Sequence, residues 1–365
     1  MLTLADPTGK YDPLNNDSPF SYGGRSRLVP GTPLEVFAEV VDPADSSVMQ
    51  QHLFVGTVDT WSEGWTTRGS TRQAQVVASD DTKTWARFDR PEQPAVGAGD
   101  TTRQRVERLV TFYGWEGTTD QPTVSTVTLQ ATTLAQSGWE LLNRAIDDEL
   151  GYVHFTPWGF LRWVNRATWY EHPEPTLVLG CIADEPAAHD VLIEAAPITV
   201  DLQMRNAIYA ARTGGTTQTA ESLSSQERYG RYDYKRTDLG LNDDVQAAQW
   251  ASDLLTIYAY PQTGLEDVTM LPALDPASWD LWPVLFNLDL VSDLVRVVWS
   301  PPDLELEPID VSSRVVGYRH RITRAEWSLR WQLVNADPFG GAGVVFTMGP
   351  DAQDRLDAGF VLGLT

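Results

Sequence analysis

The chain has 365 residues, 27 of them basic and 50 acidic, for a formal net charge of −23. That length exceeds what one hydrophobic core usually organises, so two or more domains are expected; 42% hydrophobic and 10% aromatic residues are ample for their cores. The acidity argues against affinity built on neutralising phosphates. No apolar run is long enough to cross a bilayer, and no basic stretch followed by an apolar core opens the sequence, so a signal peptide is not indicated.

In chain order, residues 1 to about 33 are rich in Pro, Gly, Asn, Asp and Ser without periodicity and read as an arm. Leu34 to Val41, Leu53 to Trp61 and Arg72 to Ser79 are strand-like and suggest a first barrel. Pro91 to Asp100 reads as a linker, followed by a short amphipathic helix with Val106, Leu109, Val110 and Tyr113 on one face and Gly114 as its stop. Val124 to Ala131 alternates again. Ser137 and Glu140 form a capping box ahead of a helix carrying Trp139, Leu142, Ile146 and Leu150, ended by Gly151.

Tyr152 to Phe155 and Gly159 to Val164 predict a hairpin around Thr156 to Gly159, and Thr176 to Ile182 adds an apolar segment, so the middle reads as α+β. Strands resume at Asn206 to Arg212, and the Thr/Ser-rich stretch from Thr213 to Gln226 reads as a loop. Asn242 as cap, then Val245, Ala248, Ala251, Leu255 and Tyr258, predict a second helix halted at Pro261. Three alternating segments close the ordered pattern: Asp293 to Trp299, Ser313 to Ile322 and Glu326 to Val334. In the middle one, strict alternation puts Val315, Gly317, Arg319 and Arg321 on one face and Val316, Tyr318, His320 and Ile322 on the other. These read as an antiparallel barrel or meander. Beyond Asn335 the sequence turns glycine-rich and ends in the apolar run Phe360 to Thr365.

The order of those last parts, a valine-rich strand, a Gly317-x-x-His320 strand and a tryptophan-bearing strand, resembles the C-terminal barrel of phage tail hub proteins. The resemblance spans most of residues 28 to 335. Pro30 to Pro33 matches the Pro-Gly-Thr-Pro opening, and Leu53 to Trp61 is similar to the Phe-x-Gly-x-Val-Asp strand of actinophage minor tail proteins. The helix from Arg103 ends in Gly114-Trp115, as in that group. Gly138 to Gly151 with Gly159 to Trp163 resembles its helix and hairpin, Ser222 to Gly230 with Arg231 its tyrosine-glycine turn, and Trp250 to Pro261 the helix before the last barrel.

The resemblance implies a mainly β fold in which two β-barrel domains are separated by an α+β insertion, three copies making a ring of six barrels. The boundaries it implies are an N-terminal arm at 1–27, a first barrel at 28–115, the insertion at 116–199, a second barrel at 200–335 and a C-terminal extension at 336–365 that docks on a neighbouring subunit. The function implied is a structural virion protein and not an enzyme: a hub at the distal end of a long non-contractile tail, assembled in the host cytoplasm. Its implied partners are itself as a homotrimer, the distal tail or tail tube protein, the tape measure protein and tip or receptor-binding proteins, with no cofactor. DNA would pass through without specific binding, and a negative lumen would discourage sticking. One departure is that related hubs often carry a fibre or a wall-cleaving domain, whereas this sequence stops about thirty residues past the barrel.

Residues that could carry chemistry yield no catalytic, cofactor or metal site. His52, His154, His172, His189 and His320 lack zinc-ligand spacing, and no Gly-x-Ser-x-Gly elbow is present. His320 reads as a hydrogen-bonded core or interface histidine, and Cys181, in an apolar run, as a buried thiol. Lysine occurs only at Lys10, Lys83 and Lys235, a usage that fits a high-GC genome. Asp147, Asp148 and Glu149 read as the solvated end of a helix, and Glu171 and Glu174 flank a turn at His172-Pro173. Trp61, Trp65, Trp163, Trp299, Trp327 and Trp331 fall in or beside strands, where cores or subunit contacts account for them. Gly214-Gly215 lacks the context of a phosphate loop. With fourteen tryptophans and many carboxylates, the alternative is a carbohydrate-active or carbohydrate-binding β-rich protein acting on host wall polysaccharide.

Overall fold

The computed structural model describes residues 2–6, 8–23, 25–41, 46–65, 72–121, 125, 127–170, 174–180, 192–200, 204–272, 281–299, 309–323 and 326–336. The chain is mainly β. Its first part comprises β1 (Leu2–Ala5), a short ribbon of β2 (Ser21–Tyr22) and β3 (Arg25–Ser26), then β4 (Pro33–Val41), β5 (Val48–Trp65) and β6 (Arg72–Ser79). They build an antiparallel sheet in the order β1-β6-β5-β4. Residues 2–5, expected within an arm, pair with Val76 to Gln73 as an outer strand of this sheet. Four residues are too few to show a period, and the ladder of β6 fixes them. Asp6 then turns the chain, its buried carboxylate accepting the amides of Lys10 and Tyr11 at 2.6 and 2.9 Å.

The middle part contains α1 (Thr82–Arg87), β7 (Gln93–Val96), β8 (Asp100–Thr101), α2 (Thr102–Tyr113), β9 (Thr119–Asp120), β10 (Thr128–Leu129), β11 (Thr132–Leu134), α3 (Gly138–Asp147), β12 (Tyr152–Phe155), β13 (Leu161–Val164) and α4 (Ala167–Tyr170). The expected linker at 91–100 carries two short strands instead, β7 pairing with β11 and β8 with β10. Helix α3 starts as the sequence indicates. Ser137 and Glu140 complete the capping box of α3, and an unforeseen second box, Thr101 with Gln104, starts α2. Gly114 ends α2 in the left-handed region, at φ 68°. Gly151 has a different role from the stop expected of it: Leu150 takes the positive φ, while a Cβ at Gly151 would lie 2.4 Å from the Val164 carbonyl on β13. Trp85, Val106, Leu109, Leu142, Ile146 and Trp163 form the core here.

The last part runs through β14 (Leu177–Gly180), β15 (Leu192–Val200), β16 (Ala207–Arg212), β17 (Gln218–Glu221), α5 (Leu223–Tyr229), β18 (Asp233–Leu239), α6 (Asp244–Tyr258), β19 (Gln262–Met270), α7 (Leu281–Asn287), β20 (Leu294–Trp299), β21 (Ile309–Ile322) and β22 (Trp327–Asn335). One sheet has the order β17-β16-β18, and a six-stranded sheet has the order β14-β20-β21-β22-β19-β15. β14 and β15, from before residue 200, pair into this C-terminal sheet.

Of the stretch from Thr213 to Gln226, only 213–217 is a connection; from Gln218 it forms β17 and the start of α5. Its polar residues looked loop-like because they satisfy buried groups: Asn206, fully buried, donates to the Ser225 hydroxyl at 3.1 Å and the Gly230 carbonyl at 2.7 Å, and accepts the Tyr232 amide at 2.7 Å. The cap of α6 is Asp243 rather than Asn242, its carboxylate accepting the Gln246 amide at 2.9 Å. The helix also presents a different face. Ala247, Trp250, Ala251 and Leu254 are buried and Val245 is exposed, since the helix packs against β16 and β17 with Trp250 as the largest side chain of the contact.

Strand β21 departs from strict alternation. Val315 pairs with Leu333 and Gly317 with Gln332, leaving Val316 as a bulge. The extra residue puts Val315 on the same face as Tyr318, against Leu329, Trp331 and Leu333 in the core, and the face predicted to hold Val315 with Arg319 and Arg321 loses it. The Val316 carbonyl freed by the bulge accepts the Tyr152 hydroxyl at 2.6 Å. Phe286 of α7 lies between the two large sheets, touching Ala38 and Leu53 of the first and Trp327 of the last.

Candidate functional site

Two kinds of feature stand out: open strand edges and buried charge. Among the described residues neither large sheet closes on itself. The outer strands are β1 and β4 in the first, β14 and β15 in the last. An outer strand offers one row of unpaired backbone groups, a template for another chain. On β4 the residues pointing away from Phe286 include Glu35, Phe37, Glu39 and Val41, all exposed; Phe37 is 47% and Val41 49% accessible. On the last sheet, the face opposite the core carries Arg319 directly across from Arg330, with Arg321 next along the strand. Arg330 is ion-paired with Asp267 of β19.

The buried charges join separate parts of the fold. Asp148, at the end of α3, is 2% exposed. It accepts the Arg236 guanidinium at 2.8 Å and the Gly240 amide at 2.9 Å, and Arg236 also bonds Asp147 and stacks over Trp250. Burial pushes the Asp148 carboxyl up to about 7, against the pull of Arg236 and the Gly240 amide. A Cβ at Gly240 would lie 2.6 Å from Asp148 Oδ2, so this close approach needs a glycine. A cavity of about 10 Å³ beside Asp148, lined also by Arg105 and Arg144, has room for about one water and no substrate.

A second network sits under α2. Asp100 holds Arg105 at 3.2 Å and Arg108 at 2.8 Å, and the Arg108 hydrogen bond keeps the Asp100 carboxyl below the ordinary range. Arg105 also donates to the carbonyls of Gly97 and Gln130, each at 2.7 Å. Arg162 bridges Asp120 and Asp289, tying the hairpin to the turn before β20.

The predicted candidates fall as follows. Of the Asp147–Glu149 run only Asp147 is solvated: Asp148 and Glu149 are buried, and Ser125 donates to Glu149 at 3.2 Å. The local sequence carries no signal of this, because Arg236 lies 88 residues away. His320 is a half-buried core residue that accepts the Trp327 indole N–H at 3.3 Å and packs against Phe286 and Tyr318. Burial lowers both His320 and His154 to about 4, with Arg162 adding to the effect at His154. His52 lies against Trp158, 6.4 Å between ring centres. Trp163 and Trp331 are buried in cores, and Trp61 and Trp327 are partly buried. Cys181, Glu171, His172, His189, the C-terminal run and the side chains of Trp65 and Trp299 lie outside the described residues. No grouping of three or more His, Cys, Asp or Glu suited to a metal ion occurs among the described residues, and no helix there is long and apolar enough to cross a membrane.

No protein-family model matches this chain, and no curated protein does. Solved structures do. The tail protein from Neisseria meningitidis MC58 matches with a TM-score of 0.57 over 80% of this chain and 82% of its own, at 12% identity. The 43 kDa tail protein of prophage MuSo2 from Shewanella oneidensis matches with a TM-score of 0.55 over 93% of this chain and 89% of its own, at 14% identity. The chain has the fold of phage tail proteins. The resemblance read from the order of its strands is therefore real at the level of fold. The tail-protein fold spans the first sheet, the helical middle and the last sheet together, since the MuSo2 match covers nearly the whole chain. At such low identity the two share an arrangement of strands more than a set of side chains.

Proposed function

We propose that this chain is a structural protein of a virion, the hub at the distal end of a long non-contractile phage tail. The first and last sheets are the described parts of two hub barrels, near 28–115 and 200–335 but extended by β1 in the first and by β14 and β15 in the last, with the helical part of 116–199 inserted between them and 336–365 reaching a neighbouring subunit. Three copies would form a ring joining the tail tube or distal tail ring to threefold tip proteins. The tape measure protein would end on it, and the lumen would stay closed to DNA until ejection. It is a role of assembly and not of catalysis, carried out at the tail tip after assembly in the host cytoplasm.

The observation that carries this reading is the near full-length fold match to a prophage tail protein, joined to sheets whose outer strands are open for pairing among the described residues. The test is immunogold labelling of intact phage particles with antibody to this chain. Label at the distal tip is the expected result. Label on the capsid, or none on particles that contain every other tail protein, overturns the reading. Release of reducing sugar from host wall polysaccharide by the purified chain would favour the carbohydrate-active alternative.

A further inference from the structure

The arginines of the last sheet are arranged against the interest of the isolated chain. Arg319 on β21 and Arg330 on β22 are directly opposed on the same face, with Cα atoms roughly 5 Å apart. Like charges so placed destabilise a sheet. Asp267 relieves Arg330. Arg319 and Arg321 are exposed and make no ion pair or side-chain hydrogen bond with any described residue, in a sequence with 50 acidic residues and 27 basic ones. On the other side of the molecule, Glu35 and Glu39 of the outer strand β4 are exposed and make no ion pair among the described residues, and they flank Phe37.

These two faces point in opposite directions. The inner face of the first sheet and the inner face of the last both pack on Phe286, so the row from Glu35 to Val41 and the row of arginines are turned away from each other. No chain can bring its own two rows together. A second copy can.

We propose that the arginine face of β21 and β22 docks on the outer face of β4 of a second copy of this chain, Arg319 and Arg321 meeting Glu35 and Glu39, with Phe37 and Val41 covered between them. The contact is head to tail, so it repeats around a ring that closes or along a filament that does not. The inference rests on the assembly role proposed above and names its contact. A nucleic acid is the weaker occupant, because two exposed arginines on a chain of net charge −23 neutralise few phosphates.

The experiment is native mass of the full chain against concentration, at low and high salt, for four proteins: wild type, Arg319→Glu with Arg321→Glu, Glu35→Arg with Glu39→Arg, and the fourfold swap. Either double variant should weaken assembly at least about 100-fold, because like charges are then juxtaposed, and the fourfold swap should restore it. That rescue cannot come from misfolding. Unchanged assembly in both double variants, or a fourfold swap no better than the doubles, overturns the inference. A wild type that stays monomeric at every concentration also overturns it, while tip labelling in the immunogold test would leave the tail reading standing. Loss of duplex DNA binding at low salt in the arginine variant, with assembly intact, would assign the arginines to DNA and overturn the inference too.

Discussion

The C-terminal sheet and the helical middle of this chain are held together by different physics. In the sheet, Val295, Val297, Val315, Leu329, Trp331 and Leu333 pack with Leu177, Leu179, Val268 and Met270 into an apolar core, the buried Arg314 beside it donates to the Val291 and Ser292 carbonyls, and long antiparallel ladders set the register. The middle meets its neighbours through ion pairs, Asp148 with Arg236 in the interior and Arg162 with Asp289 partly buried, and holds Asp100 against Arg105 inside itself. An apolar core tolerates many side chains of the right volume. A buried pair depends on both partners, because either alone is an uncompensated charge. The junctions of the middle are thus the more specific part, and the sheet the more robust one.

That contrast can be broken first in the sheet. Trp331→Ala removes one of the largest buried side chains and should cost roughly 3–5 kcal/mol in urea or guanidinium unfolding; a cost below about 1 kcal/mol would show that the sheet core does not carry the stability assigned to it. Arg236→Ala should cost about 3 kcal/mol by leaving Asp148 buried and unpaired. The double change Asp148→Leu with Arg236→Met should cost clearly less than the two single losses added together. Strict additivity would argue that the pair is not coupled. Tyr152→Phe removes the hydroxyl bonded to the Val316 carbonyl and should cost about 1–2 kcal/mol, whereas no change would mean that solvent replaces that bond.

The smallest mutational effect belongs to a helix end, where Ser137→Ala should lose about 1 kcal/mol with the capping box of α3. The pH dependence separates the regions further. His320 and His154 titrate near 4 when folded against 6.5 for the ordinary side chain. The unfolded chain therefore binds more protons between those values, and the stability they contribute, full above about 6.5, is lost as pH falls toward 4. Asp148 behaves oppositely: with its folded value raised to about 7 from 3.8, its cost is absent below 3.8 and grows as pH rises toward 7. Asp148→Asn should flatten the neutral limb of a pH–stability curve, and His320→Phe the acid limb. A curve unchanged in both would remove these groups as the source of its shape.

Much of this fold was legible where periodicity was long. The strands of the first sheet from Pro33, the three C-terminal strands, helix α2 with its Gly114 stop, the capping box of α3 and the hairpin of β12 and β13 follow from local patterns that tertiary contacts only confirm. What escaped was short, polar or, for the nine-residue strands β15 and β19, without regular alternation and placed by pairing with each other and with β22. Leu2–Ala5, Gln93–Val96 and Asp100–Thr101 are strands because a partner ladder is present, and Gln218–Tyr229 is ordered because Asn206 and Ser225 are bonded inside.

By itself, then, the sequence determined that the chain is mainly β with helices in its middle, and that its strands follow the order of phage tail proteins, because alternation and capping are properties of neighbours in the chain. Only the tertiary structure decided that Asp148 is buried against Arg236, that a bulge at Val316 turns Val315 to the core, and that Arg319 and Arg321 stand without an ion pair among the described residues on one side while Glu35 and Glu39 stand on the other. Each of those depends on residues tens to hundreds of positions apart, and no local rule of spacing records which distant charge, carbonyl or sheet face a side chain will meet.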